Sequence, residues 1–214
     1  MTHVRTIALL GFMLFGCGAA EAAELKVMAT GSMAAPLRAI AETYAKRSGH
    51  KVDVTVGITT TVTATLQAGE KPDLIEVTSF GMDQLERENF IRAGSRVEIA
   101  RAVIGLAVRA GGAVPDVSTQ EALMRVLREA RSVAYVNPKF AGQVGVNMAT
   151  FFERLGMTHI VTKKAVVAFT GEDAVEKVGK GEADIAVAFA SEILPVRGVT
   201  WLGPVPAALQ VPTN

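Results

Sequence analysis

The stretch VDVTVGITTTVTATLQAGEKPDLIEV (residues 52–77) decides the fold class, because extended and helical patterns follow one another within it. Alternating apolar and polar residues predict a strand over residues 51–56, and helical spacing predicts a helix over residues 61–68. An apolar run at residues 73–77 predicts a second strand. Three consecutive threonines stand at the first junction, although β-branched residues are poor helix starters. The presence of three hydroxyls at this helix start therefore needs a structural or functional explanation.

The same alternation continues outward along the chain. Further strands are predicted at residues 25–29, 97–110, 132–136, 165–169 and 184–189, and further helices at residues 33–48, 82–90, 118–130, 145–155 and 172–178. Strands that alternate with helices predict an α/β fold with mostly parallel sheets flanked by helices. The sequence contains no fixed-period repeat and no low-complexity linker. If the chain forms two lobes, residues 97–110 are the best candidate for a strand that crosses between them.

Composition excludes some classes of function. The chain has 214 residues, half of them apolar, and a formal net charge of +1. Its cations are scattered and only 6% of its residues are aromatic, so we predict no binding of nucleic acid. With half its residues apolar, a chain of this length can bury a substantial core.

The N-terminal segment has the layout of a secretory signal peptide. One early cation, Arg5, precedes a short apolar run that ends in small residues, which predicts cleavage after Ala22 or Ala23. LFGC (residues 14–17) also resembles a lipoprotein processing site with a lipid on Cys17, but Phe15 fits that pattern poorly and simple cleavage is favoured. Cys17 is the only cysteine, so the mature protein has no disulfide. The predicted location is periplasmic or extracellular.

Two predicted strand-to-helix junctions share one design. Gly31 and Ser32 follow the first strand, and Gly57 with Thr59 and Thr60 follows the second. Helix starts expose unpaired N–H groups and the positive end of the helix dipole, so they attract anions. Neither first turn has an acidic residue. Acids do follow the helix starts predicted at Ser118 and Thr170, as expected for helices whose first turn serves only to stabilise the helix.

For either junction alone, helix capping remains an alternative, because Ser and Thr are the commonest caps. A third junction, YVNPKFAGQVGVNM (residues 135–148), brings a loop and a helix start where backbone amides near Val144 and Gly145 can meet a ligand from the other side. Other chemistry is thin: metal-site, phosphate-loop and nucleophile-elbow motifs are absent. The sequence therefore predicts a protein that is not an enzyme and has no cofactor and no metal site.

Three segments resemble the periplasmic molybdate-binding proteins and their relatives, the solute-binding proteins of ABC transporters. They are LKVMATGSMAAP…DLIEVTS (residues 25–79), ARSVAYVNPKFAGQVGVNMATFFERLGM (residues 130–157) and GEADIAVAFASEILPVRGVTWLGPVPAALQ (residues 181–210). The resemblance implies a two-lobed, type II periplasmic-binding fold. By family pattern, uncharged hydroxyls and amides hold a tetrahedral oxyanion. Ser32 matches the serine of the first loop, Thr59 or Thr60 the hydroxyl of the second, and the backbone near Val144 and Gly145 a contact from the other lobe.

The resemblance also implies domains and a function. We expect a signal peptide at 1–23, a first lobe at 24–104 plus 203–214, and a second lobe at 105–202. The family's tyrosine falls at Phe189, and relatives continue beyond the position of Asn214, so the C-terminal part of the first lobe is expected to be shortened.

The expected function is capture of a small oxyanion, such as molybdate or tungstate, by a monomer that delivers it to an ABC transporter permease. One alternative is a binding module of the same fold for another small anion or organic acid, used in sensing or adhesion without transport. A less favoured alternative is an enzyme on the same scaffold.

Overall fold

Strands and helices alternate along residues 22–138 and 142–211, which are the residues that this computed structural model describes, apart from the side chains of residues 142 and 143. The predicted signal peptide and Cys17 fall outside the described residues, except for residues 22 and 23. The signal peptide and the proposed processing therefore stay predictions.

The first sheet has three parallel strands in the order β2-β1-β3. The strands are β1 (Glu24–Thr30), β2 (Lys51–Gly57) and β3 (Leu74–Ile75), and the helices around them are α1 (Ala34–Ser48), α2 (Thr59–Gln67) and α3 (Ser79–Arg87). A 3₁₀ turn, Gly31–Met33, lies between β1 and α1. Thr30 pairs with Gly57, so β1 and β2 end level with each other.

The second sheet has five strands in the order β6-β5-β7-β4-β8. The strands are β4 (Ile104–Arg109), β5 (Val133–Val136), β6 (Ala165–Ala168), β7 (Ile185–Phe189) and β8 (Val199–Pro204), and the helices are α4 (Gln120–Glu129), α5 (Gly142–Arg154), α6 (Thr158–Thr162), α7 (Gly171–Gly179) and α8 (Ala190–Ile193). β5 runs parallel to β6 and β7, whereas β4 runs antiparallel to β7 and β8. The predicted α/β class with mostly parallel sheets flanked by helices is confirmed.

Two local predictions differ from the structure. The extended run predicted at residues 97–110 is a strand only over Ile104–Arg109. Val97 and Ile99 are 74% and 60% exposed, so the preceding residues have an apolar pattern but no sheet to pack on. The cap of α4 is Thr119 and not Ser118: the Thr119 side chain accepts from the N–H of Ala122 at 3.1 Å.

The two sheets rest on cores of very different size. The large cluster of buried apolar side chains is made by residues of the second sheet and its helices, such as Leu106 and Phe151. The first sheet has a small cluster made by Met28, Val62, Leu66, Val77 and Leu85. A separate group, rich in alanine, lies between the second sheet and α7.

The C-terminal residues pack against the second sheet. Val205, Leu209 and Val211 belong to the large cluster. The Gln210 amide accepts from the N–H of Ile104 at 2.9 Å and donates to its carbonyl at 3.0 Å. These contacts differ from the expected return of residues 203–214 to the first lobe. The division into 24–104 with 203–214 and 105–202 stays a prediction, and the packing favours ending the second lobe at residue 211.

A search for membrane-spanning helices among the described residues finds none of sufficient length and hydropathy.

Candidate oxyanion-binding site

The two hydroxyl-bearing junctions lie beside each other at one edge of the first sheet. Ser32 sits in the 3₁₀ turn directly after β1, and Thr59 is the first residue of α2, directly after β2. Because Thr30 and Gly57 are paired in neighbouring parallel strands, both junctions leave the sheet at the same end. In parallel α/β sheets this carboxyl end is where ligands bind.

The helices at these junctions begin without the caps that other helices have. The N-cap residues of α1 and α2 are Met33 and Ile58; neither contributes a side-chain cap, and neither first turn has an acid. In contrast, α3, α4 and α7 are each capped by a threonine, respectively Thr78, Thr119 and Thr170. The unpaired N–H groups at the start of α2 therefore keep their positive potential. The start of α1 offers fewer of them, because the N–H of Ala34 donates to the carbonyl of Gly31 and Pro36 has no N–H.

Ser32 ends a chain of hydrogen bonds that reaches a carboxylate. Its side chain is buried, with 8% of its surface exposed, and its Oγ lies 3.3 Å from Oγ1 of Thr30. Thr30 donates to Oε2 of Glu76 from its backbone N–H at 2.8 Å and from its hydroxyl at 2.9 Å. Burial raises the pKa of Glu76, against the two hydrogen bonds from Thr30, which lower it.

The sequence prediction did not include Glu76 or Thr30 in the site. An available signal was the position of this acid inside an apolar run, between Ile75 and Val77, because such acids are rarely buried without a partner. The partner itself was not visible, since Thr30 and Glu76 are 46 residues apart.

Thr59 and Thr60 have different surroundings. Thr59 is partly buried, and its methyl group packs against Gly81 in the first turn of α3: a Cβ at residue 81 would come within 2.5 Å of it. Thr60 is exposed. Gly81 thus fixes how close α3 comes to the start of α2, and a larger residue there would displace Thr59.

Val144 and Gly145 lie in the first turn of α5, as predicted for the third junction. Gly145 is buried against the preceding loop, where an added Cβ would lie 2.6 Å from Cα of Pro138 and 2.8 Å from the Asn137 carbonyl. Val144 is partly buried against the large cluster. α5 contacts α2, and α8 contacts α1 and the turn that bears Ser32. Helices of the second sheet therefore contact the helix that follows one junction and the turn that forms the other.

A groove of about 790 Å³ opens beside Ser32. Ser32 and Glu76 line it on the side of the first sheet, and Ala190 and Ser191 of α8 line it on the side of the second. Thr59, Thr60, Val144 and Gly145 are not among its described lining residues. The predicted site residues thus form two neighbouring groups, of which only Ser32 lies in this groove, and their joint role in binding stays a prediction.

Glu192 fixes the start of α8 at the edge of this groove. Its carboxylate is buried, accepts from the N–H of Phe189 at 3.1 Å and is also hydrogen-bonded by the N–H of Gly171 at the start of α7. Burial raises its pKa from 4.5 to about 7 despite these two bonds. The glycine at residue 171 is required, because a Cβ there would overlap the carboxylate. Phe189, at the position of the family's tyrosine, is fully buried.

We expect Glu192 to make the stability of the protein fall as the pH rises from about 5 to about 8. A raised carboxyl pKa means that the folded state holds a proton that the unfolded state has released, so the contribution is complete below 4.5 and is lost as the pH passes about 7. This difference corresponds to about 3 kcal/mol, since each pH unit is worth about 1.4 kcal/mol. Urea unfolding of wild type and Glu192→Gln across this range measures the effect.

Glu121→Gln is the matched control, because Glu121 is an exposed carboxylate in the first turn of α4. The Glu192→Gln variant should lose most of the decline, whereas Glu121→Gln should retain it. Equal slopes in wild type and Glu192→Gln would contradict the assignment.

Among the described residues, no three histidine, cysteine or acidic side chains form a group that could hold a metal ion. The donors at the junctions are hydroxyls and backbone N–H groups, which suit an anion rather than a cation.

Residues 25–214 match the family described as bacterial extracellular solute-binding protein. The chain belongs to this family. Among curated relatives, this solute-binding protein is 28% identical over 192 residues to an aconitate isomerase from a Pseudomonas species, an alignment that covers 87% of the chain and 71% of the isomerase. It is also 28% identical over 190 residues to the molybdate-binding protein ModA of Azotobacter vinelandii, covering 88% of the chain and 73% of ModA.

A solved structure confirms the fold of this solute-binding protein. The substrate-binding domain of a putative molybdenum ABC transporter from Clostridium difficile superposes with a TM-score of 0.70 at 18% identity. The superposition covers 90% of the chain and 82% of that domain. The resemblance to molybdate-binding proteins and their relatives is thereby confirmed at the level of family and fold, while the ligand is a separate question.

Proposed function

We propose that the protein binds a small oxyanion of the molybdate or tungstate type, in the periplasm and as a monomer, and delivers it to an ABC transporter permease. The observation that supports this most directly is the pair of adjacent helix starts, α1 and α2, which have hydroxyls but neither an acid nor a side-chain cap. One such helix start is not unusual, because α6 also begins at a threonine without an acid or a side-chain cap. The support comes from two such starts that lie side by side at the carboxyl end of the first sheet.

Uncharged donors are a sound way to hold such a ligand. A dianion that leaves water needs a hydrogen bond for nearly every oxygen lone pair that it desolvates. Each helix start contributes roughly 0.3–1 kcal/mol, and each hydrogen bond to a charged group about 1.5–3 kcal/mol. Several hydroxyl and amide donors must therefore act together. Approach of the helices of the second sheet would bring the first turn of α5 to the same ligand.

The second candidate is a polycarboxylate ligand, with or without turnover. Two observations favour it: the aconitate isomerase relative, and the half-buried Glu76 beside Ser32 in the groove. A carboxylate with a raised pKa is a reasonable acid or base for proton transfer. Hydroxyls and helix starts bind carboxylates by the same physics as molybdate, so the two candidates differ in ligand size and in catalysis.

A thermal-shift panel tests the two candidates. We expect molybdate or tungstate to raise the Tm, since a ligand present at a hundredfold excess over its Kd stabilises the native state by about 2.7 kcal/mol. Sulfate, phosphate, citrate and the two aconitate isomers complete the panel. Stabilisation by aconitate or citrate alone would overturn the molybdate-type proposal, and chromatography of cis- and trans-aconitate after incubation would then show whether the protein interconverts them.

A further inference from the structure

We propose that binding of the oxyanion is coupled to uptake of one proton by Glu76, and that the hydrogen bonds from Glu76 through Thr30 to Ser32 link the two events. This inference rests on the proposed function. Glu76 would then be a positioning residue that sets the direction of the Ser32 hydroxyl. The chain consists of three contacts between four polar groups: two join the end of β1 to Glu76 after β3, and the third lies within the turn after β1.

The direction of the chain follows from how many protons each group has. An ionised carboxylate only accepts hydrogen bonds, so the Thr30 hydroxyl must donate to Glu76. A hydroxyl has a single proton, and Thr30 Oγ1 can therefore only accept from Ser32 at 3.3 Å. Ser32 then directs its proton away from the groove and offers lone pairs to it. A bare oxyanion also offers only lone pairs, so Ser32 would have to break its bond to Thr30 to bind one.

One proton on Oε2 of Glu76 reverses the direction. The carboxylic acid then donates to Thr30 Oγ1 while Oε2 still accepts from the Thr30 N–H, 2.8 Å away. Thr30 turns its own proton to Ser32, and Ser32 is free to donate to the ligand. The same proton removes the negative charge of Glu76, which lines the groove and would otherwise repel an anion.

Three arginines line the groove, and none of them forms a salt bridge with Glu76 among the described residues. The remaining ionisable side chains that line it are Asp73, Arg92, Arg96, Glu98 and Arg101. Arg96 pairs with Asp83 and Glu86, and Arg101 pairs with Glu98. The start of α1 contributes only uncharged residues such as Pro36. α8 carries Glu192, whose buried carboxyl lies at the edge of the groove with its pKa raised by burial to about 7. Among the described residues no salt bridge joins Glu76, and burial raises its pKa, which eases proton uptake.

Calorimetric titration with sodium molybdate tests the proposal, because this ion has no proton of its own near neutral pH. For wild type we expect the affinity to fall by up to about tenfold per pH unit above the pKa of Glu76, and binding in two buffers of different ionisation heat to show uptake of up to about one proton. Glu76→Gln has no group to titrate and no charge to repel molybdate. When both proteins also carry Glu192→Gln, which removes the other carboxyl that titrates near neutral pH at the groove, its affinity should be independent of pH and higher than that of the protein with Glu76 at about pH 8.

Asp73→Asn is the matched control. Asp73 lines the same groove, but its carboxylate accepts from the N–H of Lys26 and lies outside the chain. This variant removes the same charge and should keep the pH dependence of wild type. Binding to wild type without proton uptake overturns the proposal, and so does a pH dependence that Glu76→Gln retains or that Asp73→Asn loses.

Failure of the proposed function gives a different result. In that case molybdate, tungstate and sulfate leave the Tm of every variant unchanged. The hydrogen-bond chain is then judged in the ligand-free protein by carbon NMR of the Glu76 carboxyl. A carboxyl that titrates at its ordinary value overturns the inference. A carboxyl that titrates higher, with a Ser32 side-chain resonance that shifts at the same midpoint, supports it.

Discussion

The triple variant Ser32→Ala, Thr59→Ala, Thr60→Ala is expected to lose oxyanion-induced thermal stabilisation altogether while its ligand-free Tm stays close to that of wild type. The three hydroxyls lie at the uncapped starts of α1 and α2 and contribute no cap to either helix, so their removal should cost little stability. At about 1.5 kcal/mol for each hydrogen bond to a charged ligand, their joint removal weakens binding by about a thousandfold or more. Thermal shift and calorimetry with molybdate measure both effects.

A control variant removes the same groups elsewhere. Thr43, Ser48 and Thr65 are helical residues whose hydroxyls donate to the carbonyls four residues earlier, at 2.8, 2.8 and 2.9 Å. Their replacement by alanine removes two threonines and one serine without touching the junctions, and should leave binding unchanged. If the triple variant at the junctions binds molybdate as well as this control does, the site assignment is wrong.

Truncation of Phe151 to alanine should cost about 3–5 kcal/mol of unfolding free energy, the usual range for a buried aromatic side chain. Phe151 is fully buried in the large cluster, with its ring centroid 5.1 Å from that of Phe152. It lies on α5, so the cavity would also loosen the helix whose first turn contains Val144 and Gly145. Urea unfolding followed by circular dichroism gives the loss.

Phe80→Ala is the comparison for this prediction. Phe80 lies on α3 and is 68% exposed, so the same truncation there should change the unfolding free energy by no more than about 0.5 kcal/mol. Equal losses in the two variants would show that Phe151 is not part of a tightly packed core.

Local patterns in the sequence were sufficient for the fold class. Period-two and helical spacing identify β1, β2, α1 and α2, and these four elements already position both junctions. The prediction that the starts of α1 and α2 differ from the helix starts with acids agrees with the structure for α4 and α7, which have both an acid in the first turn and a threonine cap. The signal is incomplete, because α3 has a threonine cap without an acid.

What could not be predicted depends on contacts between distant parts of the chain. The bond from Thr30 to Glu76 requires the pairing of β1 with β3, which residue patterns do not specify. The attachment of Gln210 to Ile104 spans 106 residues and uses an amide that looks like an ordinary surface residue in the sequence. Residues 97–103 have a strand-like pattern, but a strand also needs a neighbour with free edge groups.

The small cluster beneath the first sheet has a consequence for how the protein behaves between binding events. Breaking a small core releases less apolar surface than breaking a large one, so the first sheet should open locally far more often than the second. Ser32 and Thr59 both follow strands of the first sheet, which is the less stable part of the molecule. A ligand bound by both residues would add contacts that the small cluster does not supply, so local opening of the first sheet should become rarer when the ligand is bound.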